Sequence, residues 1–238
     1  MSTFSVVGTP IGNLEDITLR ALKTLAAADL ILCEDTRTTK RLLDRHGIKT
    51  KTLSYHAHSD LSRRTEIINL LKEGKNLALV TDAGTPGLSD PGSELVATVR
   101  TQMADEIKSG LLKMEAIPGP SALTAALSVA GAPVSEFVFL GFLPHKKGRE
   151  TIFNEIAGHE RTYLFYESTH RIMKTLDSLV EHCPTDKKVT VCRELTKIFE
   201  EVVSASPEEV RDHFKNNPEK VKGEFVVIVS DFRAGVSE

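Results

Sequence analysis

The sequence predicts an α/β protein of two domains, with a mostly parallel sheet in the first domain and a mixed sheet in the second. Over the first half, short apolar runs rich in β-formers alternate with amphipathic helical patterns. Several of these runs show little polar alternation, which is typical of strands buried on both faces of a parallel sheet. In the second half, extended runs follow one another with fewer helices between them, which favours a mixed sheet. We therefore expect domains at residues 1–118 and 119–238.

The first domain is predicted to contain strands and helices in strict alternation. The expected strands are residues 4–7, 30–33, 52–55, 77–81 and 114–117. The expected helices are residues 17–27, 38–46, 61–73 and 94–107. Alternation of this kind implies right-handed βαβ units and therefore an open parallel sheet.

The second domain opens with a predicted helix over residues 121–130, for which Ser121 is a suitable N-cap. Helices are also expected near residues 150–157 and 170–183. SPEEV, at residues 206–210, matches a capping box and predicts a further short helix. The extended runs of this half are FVFLGF, TYLFYE, KVTVCRE, EEVVSA and EFVVIV.

Composition and charge exclude several classes of protein. The chain has 238 residues, of which 40% are hydrophobic and 26% charged. No apolar run approaches the ~18 residues of a membrane span, and the N-terminus lacks a signal-peptide pattern. The three cysteines are far apart and odd in number, so we expect reduced, buried thiols and a cytoplasmic protein. The net charge of −3 disfavours a broad nucleic-acid coat but leaves two local basic clusters, TRTTKR (36–41) and HKKGR (145–149).

Three loops rich in glycine and proline follow predicted parallel strands. They are GTPIGN (8–13), TDAGTPGLSDPG (81–92) and IPGPSA (117–122). Any one of them could be an ordinary turn, but all three lie where ligands bind in an open α/β sheet. Proline fixes a loop's shape and glycine permits close approach, so we expect the loops to meet in a site that binds its ligand mainly through the main chain. The spacing of Gly8 and Gly12 fits neither the dinucleotide nor the triphosphate motif.

Charged residues follow the second predicted strand, in CEDTR. Glu34, Asp35 and Arg37 would lie at the same sheet edge as the loops. The plain alternative is a helix start with Asp35 as its cap. Capping needs neither Glu34 nor an arginine in the first turn, where the helix dipole disfavours cations. His56 and His58 lie nearby without a third ligand, so no metal site is predicted.

Charged residues also end two strands of the second half, in FYESTHR and RELTK. The first motif carries Glu167 and Arg171, and the second carries Arg193, Glu194 and Lys197. The plain alternative here is a structural ion pair that joins Arg171 or Arg193 to Glu167 or Glu194. No serine, cysteine or zinc hydrolase motif is present.

The whole set of motifs resembles the bacterial ribosomal RNA small-subunit methyltransferase I family, which belongs to the tetrapyrrole methylase superfamily. The motifs that carry the resemblance, in order along nearly the whole chain, are VVGTPIGNLEDIT, CEDTR, LVTDAGTPGLSDPG, IPGPSA, GFLPHKKGR, FYESTHR, RELTK and GEFVVIV. The resemblance implies two α/β domains of the tetrapyrrole-methylase type, with S-adenosylmethionine in the cleft between them. It also implies methyl transfer to the ribose 2′-oxygen of a cytidine in the decoding region of 16S ribosomal RNA, and a homodimer. The negative net charge is compatible with RNA recognition if local basic residues bind an assembled ribosomal particle.

The resemblance also assigns residues to the cofactor, motif by motif. The first loop faces it, the second holds its amino-acid end, and the main chain of two strand ends in the second domain borders the adenine. The residues implied are Pro10, Asp82, Ala83, Gly84, Gly87, Ser89, Ser121, Ala122, Tyr166, Glu167 and Leu195.

Methyl transfer to a ribose needs positioning and a group that takes up the hydroxyl proton. The candidate catalytic residues are Asp35, Asp82, Arg37, Glu194 and Lys197. The candidate RNA-binding residues are Arg37, Lys146, Lys147, Arg149, Arg171 and Arg193. Two alternatives remain at this point: methylation of a tetrapyrrole carbon, whose acidic substrate the same cations would suit, and a non-catalytic ribosome-binding protein of the same fold.

Overall fold

A computed structural model of the chain describes residues 1–56, 61–89 and 92–231. The chain divides into two compact units, Met1–Ser121 and Ala122–Glu238. Each unit has its own five-stranded sheet and its own hydrophobic core. Within the described ranges, no helix is long and apolar enough to cross a membrane. All three cysteines are buried and free, as the sequence predicts.

The first unit is a parallel sheet with helices on both faces. Its strands run in the order β3-β2-β4-β1-β5, and every pairing is parallel, which confirms the predicted sheet. The strands are β1 (Ser2–Val7), β2 (Leu30–Cys33), β3 (Thr52–Ser54), β4 (Leu77–Leu79) and β5 (Leu112–Ile117). The helices are α1 (Leu19–Ala27), α2 (Thr36–Arg45), α3 (Leu61–Lys72), α4 (Ser93–Gln102) and α5 (Ala104–Lys108).

Apolar side chains cover both faces of this sheet, which explains the lack of polar alternation in its strands. Phe4 and Leu79 belong to one buried cluster, together with residues of α3 and α4. Val7 and Ala78 belong to a second cluster, together with residues of α1 and α2. Neighbouring residues of one strand therefore point to opposite cores.

Two of the differences from the predicted helices have clear local reasons. Helix α2 begins at Thr36 because the side chain of Asp35 caps it. The helix expected over residues 94–107 is wrong as one element, since α4 and α5 are separated at Met103. Met103 leaves the helical conformation at φ −122° and buries its side chain in the core beside α4. Periodicity alone did not reveal this break.

The second unit is a mixed sheet, as predicted. Its strands run in the order β6-β7-β10-β8-β9; β6 pairs in parallel with β7, and all other pairs are antiparallel. The strands are β6 (Phe137–Phe142), β7 (Thr162–Ser168), β8 (Lys187–Arg193), β9 (Glu201–Ala205) and β10 (Glu224–Asp231). The helices are α6 (Ala122–Ala130), α7 (Arg149–Gly158), α8 (Ile172–His182) and α9 (Pro207–Asn216).

The core of the second unit lies between one sheet face and helices α7, α8 and α9. Alternation along β10 places Val227 and Val229 in this core and leaves Val226 and Ile228 on the opposite face, where they are also buried. Helix α6 contacts β8, β9 and β10. Helix α9 begins with the predicted capping box, in which Ser206 and Glu209 bond reciprocally.

Candidate functional site

The first two glycine–proline loops are joined at the carboxyl edge of the first sheet. Strands β1 and β4 are neighbours, so their loops emerge side by side. The amide of Thr9 donates to the carbonyl of Gly84 at 2.9 Å, and the amide of Gly84 donates to the carbonyl of Thr9 at 3.1 Å. The Thr9 hydroxyl also donates to the carbonyl of Thr81 at 3.2 Å. The second loop is therefore fixed to the first by main-chain bonds, and these two loops meet at one sheet edge as the sequence predicts.

The third loop packs against the first one through two glycines. The amide of Gly8 donates to the carbonyl of Ile117 at 3.0 Å. A Cβ atom on Gly8 would lie 2.8 Å from the amide nitrogen of Gly119, and one on Gly119 would lie 2.7 Å from the carbonyl oxygen of Gly8. The Thr85 hydroxyl donates to the carbonyl of Pro120 at 3.4 Å, which joins the second and third loops. All three loops thus form one junction, and only glycine fits at its closest point.

The predicted cofactor residues of the three loops lie in or next to the junction. Pro10 and Gly84 are buried within it. Ser121 and Ala122, the last two residues of the third loop, are partly exposed, and Ala122 is the first residue of the second unit. The exposed members are Asp82, Ala83, Gly87 and Ser89. Asp90 and Pro91 of the same loop lie outside the described residues. The exposed part of the second loop therefore offers one carboxylate and a length of main chain, a donor set that suits the charged amino-acid end of S-adenosylmethionine.

Acidic residues meet where β2 and β4 lie side by side. From β2 the chain leads to β3 at the sheet edge, and from β4 it leads in the opposite direction to β5. Such a switch point is the usual ligand crevice of an open α/β sheet. The amide of Asp35 donates to Oδ1 of Asp82 at 3.0 Å, so the ends of the two strands are joined there. Glu34 lies next to this bond and is partly buried.

Asp35 and Glu34 differ in their contacts, and their pKa values are shifted in opposite directions. Asp35 caps α2 and also binds the guanidinium of Arg37 at 2.7 Å. Hydrogen bonds from the side chain and amide of Arg37 lower the pKa of Asp35 to about 2, which makes it a weak base. Burial, and then the nearby charge of Asp82, raise the pKa of Glu34, so it accepts a proton more readily. Glu34 is absent from the catalytic residues chosen from sequence, although its place after a buried strand was a usable signal.

In the second unit, Glu167 at the end of β7 is the centre of a buried polar network. Its side chain is 0% exposed, and Oε1 accepts from Nε of Arg171 at 2.7 Å and from the amide of Ser168 at 2.8 Å. Oε2 accepts from the Thr175 hydroxyl at 2.6 Å, and that hydroxyl accepts from Nη2 of Arg149 at 2.6 Å. The structural ion pair between Arg171 and Glu167, one of the alternatives from sequence, is therefore present.

The contacts of Arg149, Arg171 and Arg193 disfavour the RNA-binding role that was predicted for these three of the six candidates. Arg149 is buried, lies over the ring of Phe153 at 5.0 Å, and has its pKa lowered by burial. Arg171 donates to the carbonyl of Leu143 at 2.7 Å as well as to Glu167. Arg193 is buried and donates to the carbonyls of residues 222 and 199 at 2.8 and 2.9 Å. These guanidinium groups hold the second unit together, whereas Lys146, Lys147 and Arg37 remain exposed.

The loop after β8 carries strained backbone around Leu195. Glu194 and Thr196, on either side of it, have φ angles of 49° and 67°. Among the described residues, the only other non-glycine residue with positive φ is Ser89, at 65° in the second loop. All three lie in loops selected as cofactor-binding. Strain of this kind costs free energy and persists mostly at functional sites.

An ion pair fixes the strained loop. Nζ of Lys197 lies 2.8 Å from Oε1 of Glu194 and 2.8 Å from Oε2 of Glu224. The amide of Glu224 donates to the same Glu194 oxygen at 2.9 Å. Burial raises the pKa of Glu194, but the bonds from Lys197 and from this amide outweigh it, and the net pKa is lowered. Lys197 therefore shapes the loop, and Glu194 is a weak base.

No group of His, Cys, Asp or Glu side chains among the described residues could hold a metal ion. His56 is exposed at the end of the described segment, and its predicted companion His58 lies outside the described residues.

Comparison with known proteins identifies relatives along nearly the whole chain. The model of the tetrapyrrole (corrin/porphyrin) methylases matches residues 3–211. Ribosomal RNA small subunit methyltransferase I of Thermotoga maritima is 43% identical over 230 residues, which cover 97% of this chain and 99% of the relative. The protein of that name from Escherichia coli O157:H7 is 42% identical over 230 residues, covering 96% and 78%.

Solved structures share the fold at lower identity. The methyltransferase CobJ superposes with a TM-score of 0.67 at 20% identity, covering 97% of this chain and 95% of that one. The cobalt precorrin-4 methyltransferase CbiF superposes with a TM-score of 0.62 at 17% identity, covering 96% and 94%.

Proposed function

Because the chain belongs to the tetrapyrrole methylase family, and within it to the ribosomal RNA small subunit methyltransferase I family, we propose that it methylates small-subunit ribosomal RNA. The methyl donor is S-adenosylmethionine, and the acceptor is the ribose 2′-oxygen of a cytidine in the decoding region of 16S RNA. The observation that carries this proposal is the identity of 42–43% along 96–97% of the chain.

The relatives favour RNA over a tetrapyrrole as the substrate. The methyltransferase CobJ and the cobalt precorrin-4 methyltransferase CbiF are only 20% and 17% identical to this chain, a level that supports a common fold and nothing more. A non-catalytic role is also disfavoured, since the junction of the three loops is intact in the first unit.

We propose cofactor-binding residues in each unit. In the first unit the amino-acid end of the cofactor binds the exposed carboxylate of Asp82 and the main chain of Ala83, Gly87 and Ser89. Pro10 and Gly84 give this part of the site its shape, and Ser121 lines it. In the second unit the residues that we propose are Ala122, Tyr166, Glu167 and Leu195. The strained backbone at Ser89, Glu194 and Thr196 supports this assignment, because strain is retained where a loop must keep one functional shape.

The bound cofactor supplies an electrophilic methyl group on a sulfonium. The chain must then orient the ribose and take up its hydroxyl proton. We assign the proton to Glu34 or Asp82, since the lowered pKa values of Asp35 and Glu194 make those two groups weaker acceptors. Asp35 holds Arg37 at this edge, where the exposed guanidinium can bind an RNA phosphate. Lys197 keeps the loop after β8 in shape through Glu194.

We further propose that the RNA is contacted by the first unit through Arg37 and by the second unit through Lys146 and Lys147. The substrate is the assembled small subunit, the active form is a homodimer, and the place of action is the cytoplasm, where bacterial subunits mature. With a net charge of −3, the composition does not favour a broad basic surface. It therefore supports recognition of a folded particle through local cations.

The decisive experiment compares ribose methylation in ribosomal RNA from cells with and without this protein. We expect one cytidine of the 16S decoding region to lose its 2′-O-methyl group when the gene is deleted and to regain it on complementation. Calorimetry with S-adenosylmethionine should show binding to the wild-type protein. An unchanged methylation map would contradict the proposed substrate, and absence of cofactor binding would contradict the enzyme class.

A further inference from the structure

Strand β6 contains an irregularity that changes which side chains face the core. Phe139 pairs with Leu164 and Phe142 pairs with Tyr166, so β6 has two residues between these pairs where β7 has one. Gly141, in the bulge, has a φ of 62°, a conformation that glycine adopts without strain. The bulge therefore adds one residue to β6 just before its end.

The extra residue turns Phe142 away from the core. Val138 and Leu140 pack on the core of the second unit, so regular alternation would send residue 142 there as well. Instead Leu143 is buried in that core, and Phe142 is 55% exposed. The bulge thus exposes a large aromatic side chain to solvent. A regular strand would have buried this side chain, and its burial would have stabilised the fold.

Phe142 stands at the edge of an aromatic group. Its ring lies 5.5 Å from that of Tyr166, at an interplanar angle of 62°, and the Tyr166 ring lies 5.0 Å from that of Phe139. Edge-to-face contacts of this kind hold the rings in place. The exposed face of Phe142 is therefore presented by a supported ring.

Exposed cations follow Phe142 directly in the chain, and the turn that carries them is fixed. Lys146 and Lys147 are exposed, four and five positions beyond the ring. Arg171 donates to the carbonyl of Leu143, at the start of the turn, at 2.7 Å. Arg149, at the end of the turn, donates back to the carbonyl of Pro144 at 3.4 Å. Both guanidinium groups are held in turn by the Glu167 network.

We propose that Phe142 is a base-stacking residue for the RNA substrate, with Lys146 and Lys147 binding the phosphates next to the stacked nucleotide. An exposed aromatic face beside fixed cations is the combination by which proteins bind unstacked nucleotides of single-stranded RNA. The negative charge of RNA complements the two lysines, whereas a second copy of this chain, with a net charge of −3, offers no such match. This inference rests on the proposed RNA substrate and adds a residue that selects a splayed-out nucleotide.

The test compares Phe142→Ala with Phe142→Trp and with a matched control, Phe137→Ala. Phe137 lies at the other end of β6, is 41% exposed, and has no lysine within five residues on either side. The probe is small ribosomal subunits from cells that lack the protein. We expect Phe142→Ala to raise the KM for subunits about tenfold, and both Phe142→Trp and Phe137→Ala to stay near wild type. Calorimetry should give all four proteins the same affinity for S-adenosylmethionine.

Equal KM values for Phe142→Ala and Phe137→Ala would overturn the proposal. So would a change of oligomeric state in Phe142→Ala by sedimentation, since it would assign the ring to an interface between copies. Thermal unfolding of each variant shows whether a raised KM reflects lost folding, and retained activity in Phe142→Trp excludes that explanation independently. A wild-type protein that fails to methylate these subunits would contradict the proposed function itself. Differences in KM between the variants, in contrast, test only the role of Phe142.

Discussion

The contact between Gly8 and Gly119 is the closest approach in the loop junction of the first unit. A Cβ atom added to Gly8 would lie 2.8 Å from the main chain of Gly119, and one added to Gly119 would lie 2.7 Å from the main chain of Gly8. Both distances are shorter than 3 Å. The neighbours are backbone atoms, which cannot move aside as a flexible side chain would. Any side chain at either position must therefore separate the first loop from the third.

We expect Gly8→Ala to destabilise the protein by about 1–3 kcal/mol and to weaken its binding of S-adenosylmethionine. The reason is that the added methyl group pushes apart two loops that we assign to the cofactor. Urea unfolding and calorimetry measure the two effects. Gly158→Ala is the matched control, since Gly158 ends α7 with ordinary φ and no atom within 4 Å of an added Cβ. A Gly8→Ala protein with wild-type stability and cofactor affinity would refute the argument.

The sequence predicted the meeting of the three loops better than it predicted the role of the arginines. Each loop follows a predicted strand and contains both glycine and proline, whereas the contact between Gly8 and Gly119 was not predicted. Arg149, Arg171 and Arg193 were predicted to bind RNA, with a structural ion pair of Arg171 or Arg193 as the alternative. Arg171 and its partner Glu167 are four residues apart, so the local motif could suggest this pair. The contacts of Arg149 with Thr175 and of Arg193 with two carbonyl groups arise only in the folded second unit, and no local pattern indicates them.

The Glu167 network joins several elements of the second unit. Glu167 lies on β7, Thr175 on α8, and Arg149 begins α7. Through Arg171 the same carboxylate also fixes the start of the turn after β6. One buried anion thus compensates two buried or partly buried guanidinium groups, so its loss leaves both without a counter-charge.

We expect Glu167→Gln to cost about 3–5 kcal/mol of unfolding free energy, the usual cost of breaking a buried ion pair from one side. The amide keeps the size of the side chain and one acceptor oxygen, so the effect reports mainly the lost charge. Urea unfolding measures it. Glu160→Gln, in the exposed connection between α7 and β7, is the control and should change stability by less than about 0.5 kcal/mol. Similar values for the two variants would show that the network does not stabilise the unit.

Most elements could be predicted because hydrophobic periodicity decides them. Strand β2 and the start of α3 were predicted to the residue, and the capping box placed α9. The break at Met103 and the bulge at Gly141 could not be predicted from hydrophobic periodicity. At each place the backbone departs from the regular repeat of its helix or strand, and a side chain reaches the core as a result. The bulge is the feature on which the proposed stacking residue depends.

At the scale of the whole molecule, the charge of −3 contrasts with the local cations that we assign to RNA. Lys146 and Lys147 lie on a turn whose backbone is held in place, so little backbone entropy is lost when they bind phosphate. Binding through a few local cations should show a modest salt dependence, in contrast with the steep dependence of a broad basic surface.

We expect the double change Lys146→Ala and Lys147→Ala to weaken binding to small subunits and to flatten its salt dependence. For single-stranded RNA, the slope of log K against log salt falls in magnitude by about 0.7 for every phosphate that a lysine no longer neutralises. Titration at several salt concentrations measures this slope. Lys49→Ala with Lys51→Ala is the control, since these exposed lysines precede β3, at the sheet edge away from the loops. An equal slope for both double variants would remove Lys146 and Lys147 from the interface.

The order of strands in the two sheets also constrains how the chain folds as it is synthesised. β1 pairs with β5, so the first sheet is incomplete until residue 117 has emerged from the ribosome. In the second sheet β10 lies at the centre, paired with β7 on one side and β8 on the other. Among the described residues β10 is the last strand along the chain, and its sheet is complete only after residue 231 has emerged. A chain that stops before residue 224 would leave β6–β7 and β8–β9 as separate pairs, with their apolar faces and open edges available for aggregation.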